Sequence, residues 1–176
     1  MKTTTKNLAL SAMFLALGLA LPFLTGQLPQ MGSMFLPLHL PVLICGMICG
    51  WKYGAAVGLV LPLLRSVLFG MPPVFPTAVA MTFELAAYGA FAGLFYNKLY
   101  KTTVNLYVSL AAAMLLGRAV WGIVSFALYS LFLTDAFTLQ MFLAGAFLNA
   151  WPGIAVQIVV IPLLMIALKR LKLTAP

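Results

Sequence analysis

Residues 40–65, LPVLICGMICGWKYGAAVGLVLPLLR, hold two apolar runs joined by a short basic turn, Trp51-Lys52-Tyr53. Gly46, Gly50, Gly54 and Gly58 recur every fourth residue across that turn. Glycines at that spacing line one helix face and let a second backbone approach closely, as small-residue contacts do in membranes. The second run ends in Arg65, with no aqueous loop beside it. The stretch reads as a membrane hairpin with a packing seam between its arms and a buried charge at its end.

The rest of the chain fits that hairpin. Of its 176 residues 64% are hydrophobic and only 7% are charged, where a soluble domain carries about 25% charged residues. So little polar surface excludes a water-soluble globule and indicates an integral membrane protein of one domain, residues 1–176. The net charge of +8 does not point to nucleic acid, because the basic residues fall singly or in pairs between apolar runs. Cys45 and Cys49 sit four residues apart in an apolar run, and with His39 alone they make no metal site. They read as small apolar helix residues. No cofactor is expected.

Six spans are predicted, at residues 8–24, 37–50, 53–70, 77–96, 104–133 and 139–168. The second is short for the roughly 20 residues a crossing needs, so it is tilted or completed by the loop before it. Pro62 is expected to kink the third. The N-terminal run follows Lys2 and Lys6 as in a signal peptide, but no small-residue cleavage pattern follows it. It is read as an uncleaved first helix. With gaps alternating between the two sides, one side collects Lys2, Lys6, Lys52, Lys98, Lys101, Lys169, Arg170 and Lys172. The other collects Asp135 and no basic residue. Both termini are therefore expected in the cytoplasm. The fold class is an all-α bundle of six transmembrane helices.

Three ionisable residues fall inside spans: Arg65, Glu84 and Arg118. A charge at the bilayer centre costs from about 2.5 kcal/mol upward, so each should face protein or a cavity. At about 1.5 Å per residue, Arg65 lies roughly 8 Å, Glu84 roughly 11 Å and Asn149 roughly 14 Å from the outer ends of their spans. Arg118 lies deeper, about 20 Å from either end. Two readings stand side by side. Glu84 pairs with Arg65 or Arg118 and locks helices together, or these groups form a polar ligand site opening outward. Both can hold at once. Tyr88 lies one turn below Glu84, Trp121 one turn above Arg118, and Trp151 in the outer half of the last span. Together these aromatics make a slot for a small, flat, polar molecule. Trp151-Pro152-Gly153 is expected to loosen the last helix and expose carbonyls. His39 is given a capping or loop-packing role. Hydrolase, metalloprotease and Walker motifs are missing, so the chain is not expected to be an enzyme.

The first span carries Ala12-Met13-Phe14-Leu15-Ala16, extended by Ala20. Further along come His39-Leu40-Pro41-Val42, Gly50-Trp51-Lys52-Tyr53-Gly54, Gly70-Met71-Pro72-Pro73 and Phe83-Glu84-Leu85. With length, six spans and proline-glycine loops, this resembles the substrate-binding S components of energy-coupling factor (ECF) vitamin transporters. The resemblance covers essentially the whole chain. It implies a high-affinity binding subunit for a water-soluble vitamin in a bacterial cell membrane. By the same resemblance, Ala12, Ala16 and Ala20 would dock on a T component that works with two cytoplasmic ATPases. The pocket would be built by the first outward loop and the fourth to sixth helices, which carry Glu84, Tyr88, Arg118, Trp121, Asn149 and Trp151. Arg65, on the third, would contribute less. The alternative is a ligand-free six-helix membrane scaffold similar to the cell-shape protein MreD.

Overall fold

A computed structural model describes residues 3–25, 29–100, 102–132 and 136–170. Lys2, Lys101, Asp135 and Lys172, used above to orient the chain, lie outside the described residues. The elements run α1 (Thr3–Ala20), a 3-10 turn (Leu21–Thr25), α2 (Pro29–Phe35), α3 (His39–Cys49) and α4 (Trp51–Phe69). A π-helical turn (Val74–Ala78) leads into α5 (Val79–Lys98) and α6 (Thr103–Phe132). After α7 (Leu139–Leu143) and a second π-helical turn (Ala144–Leu148), α8 (Trp151–Arg170) ends the described chain. Among the described residues there is no strand, and six segments are long and apolar enough to cross a membrane.

α1 begins at Thr3, ahead of the predicted start at residue 8, and three further departures from the sequence reading each have a local reason. The expected turn at Trp51-Lys52-Tyr53 is the first turn of α4, and the hairpin turns on Gly50 alone. Gly50 has φ +98°, a backbone that favours glycine, and its N–H donates to the Gly46 carbonyl at 3.0 Å. The short second span is completed by the segment before it, one of the two options expected, so that residues Gly32–Cys49 form the apolar segment, but that segment holds the helix α2 and is not all loop. α2 and α3 meet near Leu36, whose φ of 51° is uncommon for a residue with a Cβ. The last span is not one helix over 139–168. It breaks at Asn149-Ala150, and only α8 is long enough to cross. Pro152 lacks an N–H and disfavours helical backbone before it. The Asn149 N–H bonds the Ala144 carbonyl at 2.8 Å, five residues back, which widens the ladder. By contrast, α4 runs through Pro62 as a single helix.

α5 is the central helix, packed against α3, α4 and α6, while α1 lies on α3 and α4. Glycines explain how closely the centre packs. A Cβ on Gly54 would fall 2.5 Å from the Gly46 Cα and 2.7 Å from the Gly89 carbonyl oxygen. One on Gly93 would fall 2.5 Å from the Trp51 nitrogen. Gly58 likewise abuts the backbone at Leu85. The seam expected between the second and third spans thus extends to α5, and Gly50 serves the turn instead. Around it lies an apolar core that includes Leu43, Leu61, Leu85, Ala92, Leu110 and Ile161. The same contacts fix the two ends of the bundle. The Asn7 side chain donates to the Cys49 carbonyl at 3.2 Å, and Gly93 abuts Trp51. Lys6, Lys52 and Lys98 therefore gather at one end, and His39 begins α3 at the other.

Candidate functional site

A cavity of about 370 Å³ opens at the end of the bundle away from those lysines. Its wall is assembled from the 3-10 turn after α1, the α2–α3 join, α4, the loop after α4, α5, α6 and the turn after α7. Of the residues expected at a ligand site, Glu84, Arg118, Trp121 and Arg65 line it.

Glu84 is the centre of its polar side. Arg118 Nη1 donates to Glu84 Oε1 at 2.7 Å, with side chains 7% and 2% exposed. The partner of Glu84 is thus the deeper arginine. Gly117, beside Arg118, makes room for the Tyr88 ring of α5, since a Cβ on Gly117 would fall 2.6 Å from it. His39 Nε2 lies 3.3 Å from the same Glu84 oxygen. Its ring meets the Tyr88 ring edge-on, with centroids 5.0 Å apart. Tyr88 is fully buried and does not line the cavity; it backs His39 from beneath.

Arg65 stands apart from this pair. Its Nη1 donates to the Leu19 carbonyl at 2.8 Å, and its guanidinium lies over the rings of Phe23 and Phe69 at 5.6 and 5.2 Å. A cation over aromatic faces is stabilised by the ring quadrupoles. Trp121 forms an aromatic corner with Phe137 and Phe142, with centroids 5.8 and 6.0 Å away. Gly145 makes room for the indole, since a Cβ there would fall 2.7 Å from it. The other two expected residues are elsewhere. Asn149 is exposed at the break before α8, and Trp151 is 65% exposed; neither lines the cavity.

His39 is the polar residue that the sequence reading misplaced. It is buried in the cavity wall, and no side chain caps α3, whose N-cap is Leu38. The available signal was its height: it starts a helix at the outer end, level with the outer half of α5. Met81, one turn above Glu84 and on its face, also lines the cavity. Leu36, with its left-handed backbone, is another wall residue. Among the described residues no three His, Cys, Asp or Glu side chains group as metal ligands. Cys45 and Cys49 are free and buried, and Cys45 Sγ lies 3.7 Å from the Ser11 hydroxyl.

The arrangement is concave, largely apolar, and carries a few convergent polar groups, which is the usual make-up of a small-molecule site. A family model described as ECF transporter, substrate-specific component, matches residues 6–165. No curated protein and no solved structure matches the chain. The chain belongs to the family of substrate-specific components of ECF transporters, integral membrane subunits that bind a small-molecule substrate while ATP hydrolysis lies with partner subunits.

Proposed function

We propose that this chain is the high-affinity binding subunit of a bacterial importer for a water-soluble vitamin or related micronutrient. The substrate sits in the cavity between the α2–α3 join, α5 and α6. The observation that carries this reading is the buried Arg118–Glu84 pair at 2.7 Å in the wall of a 370 Å³ cavity. A charge pair that served packing alone would be expected inside a filled core, not beside open volume. Arg118 and Glu84 hold polar groups of the substrate, His39 and Trp121 shape the slot, and Arg65 contributes charge at its rim.

In this reading the cavity faces outward and both termini are cytoplasmic. Lys6, Lys52 and Lys98, gathered at the opposite end of the bundle, support that orientation through the excess of positive charge on cytoplasmic loops. Docking on a T component with two ATPases uses Ala12, Ala16 and Ala20. All three are exposed, while Ser11, Phe14 and Gly18 on the same helix are buried. Only 22% of the α1 span is buried by the rest of the chain, the smallest share among the six.

The test is what the protein carries. Chain purified from cells grown in rich medium, then denatured, is expected to release a stoichiometric small molecule detectable by mass spectrometry. The same compound added back should raise the thermal midpoint. Repeated recovery without any such molecule, and no thermal response to a vitamin panel, would overturn this reading of the cavity.

A further inference from the structure

The cavity wall carries more positive than negative side chains. It contains two arginines, Arg65 and Arg118, and one carboxylate, Glu84. Arg118 is 5% exposed and gives Nη1 to Glu84. That bond uses one end of the guanidinium. It leaves the edge where the Nε and Nη2 hydrogens point in parallel, and both of those buried atoms lack a hydrogen-bond partner. A parallel two-donor edge matches the two oxygens of a planar carboxylate. Arg65 donates to the neutral Leu19 carbonyl, and its guanidinium lies over the rings of Phe23 and Phe69. Among the described residues no second acidic side chain balances it. Among the described residues Glu84 therefore cancels one arginine, and one positive charge remains on the wall.

An uncompensated charge in a low-dielectric site favours a ligand of opposite sign. Resting on the reading of this cavity as the substrate site, we propose that the substrate is a small organic monocarboxylate. Its carboxylate meets the guanidinium of Arg118, a residue of the cavity wall, within the field of Arg65. Its less polar body lies against Leu36, Met81 and Trp121. Glu84 fixes the rotation of the Arg118 guanidinium and disfavours a second negative charge, so a phosphate monoester, which carries about −1.5 to −2 at neutral pH, is a poor fit. An organic cation would meet two arginines and is excluded.

The test uses the purified full chain in nanodiscs. The probes are free acids with their uncharged counterparts: nicotinate with nicotinamide, pantothenate with panthenol, biotin with biotinamide. Thiamine serves as the cation. The molecule retained through purification is identified in parallel. The retained molecule, or the tightest-binding probe, is expected to carry one carboxylate, and its uncharged counterpart to bind at least about 100-fold more weakly, the worth of two charge-assisted hydrogen bonds. Arg118→Lys, which keeps the charge and removes the fork, is expected to bring the acid-to-neutral ratio at least tenfold closer to one. Where that variant yields no folded protein, the wild-type ratio decides. A retained molecule or tightest probe without a carboxylate overturns this inference and leaves substrate binding standing. A ratio unchanged in Arg118→Lys likewise overturns the assignment to Arg118. No retained molecule and no response to any probe removes both readings.

Discussion

In the proposed function Glu84 and Arg118 have two tasks, pairing and substrate binding, that mutation can separate. Removing one member of a buried pair strands the other charge, which costs about 3–5 kcal/mol, while replacing both with uncharged groups of similar size is often close to neutral. Glu84→Gln or Arg118→Met alone is therefore expected to lower stability by about 3–5 kcal/mol. The double variant Glu84→Gln/Arg118→Met should recover most of that loss yet bind no substrate. Thermal midpoints in detergent, read beside binding, check this. Additive losses in the double variant would show that the pair is not coupled. Both residues were legible in the sequence as intramembrane charges, but the choice of Arg118 over Arg65 was not. It depends on how α4 and α6 are rotated about their axes, which spacing within one helix does not set. His39 was hidden for a related reason. A lone histidine after a proline reads as loop packing until α3 is placed against α5, where it comes to 3.3 Å from Glu84.

At the scale of elements, the glycine seam holds α3, α4 and α5 at backbone contact. A Cβ on Gly89 would run into the backbone of Gly54, with the Ala55 nitrogen 2.9 Å away. Backbone cannot yield without moving a helix, so Gly89→Ala is expected to destabilise by about 1–3 kcal/mol, the usual cost of overpacking. Gly122 is the contrast. A Cβ there would meet only the far edge of the Phe142 ring, at 2.5 Å, and that ring can swing. Gly122→Ala should be near neutral, since relief of the helix penalty of glycine, about 1 kcal/mol, offsets the adjustment. Detergent thermal melts of the two variants give the comparison, and equal losses would count against the seam. The four-residue spacing made the α3–α4 half of this seam readable from the sequence. Its α5 half, Gly89 and Gly93, lies far along the chain and needed the packing to be seen. The break before α8 was also only half readable. Pro152 and Gly153 announced a weak point, but the ladder opens earlier, at Ala144–Leu148, and this carries Asn149 off the cavity.

For the whole molecule, the cavity end and the helix proposed for docking are separate. α1 touches α3 and α4, yet it presents Ala12, Ala16 and Ala20 outward. Small side chains on an exposed membrane face let another helix approach closely. A bulky residue there should block a partner without reaching the cavity, in whose wall none of these alanines stands. Ala16→Trp is therefore expected to keep wild-type substrate binding while uptake in cells with the partner subunits falls at least about tenfold, as loss of about 1.4 kcal/mol or more of docking energy would give. Ala56→Trp, at an exposed alanine on α4, is the control for added bulk on a lipid-facing surface. Its uptake should stay near wild type. If Ala16→Trp transports normally and Ala56→Trp does not, the docking face is on α4, and the outward alanines of α1 simply face lipid. If both transport normally, neither helix carries the contact. Because binding is measured on the isolated chain and uptake on the assembly, a loss confined to uptake reports the partner interface alone.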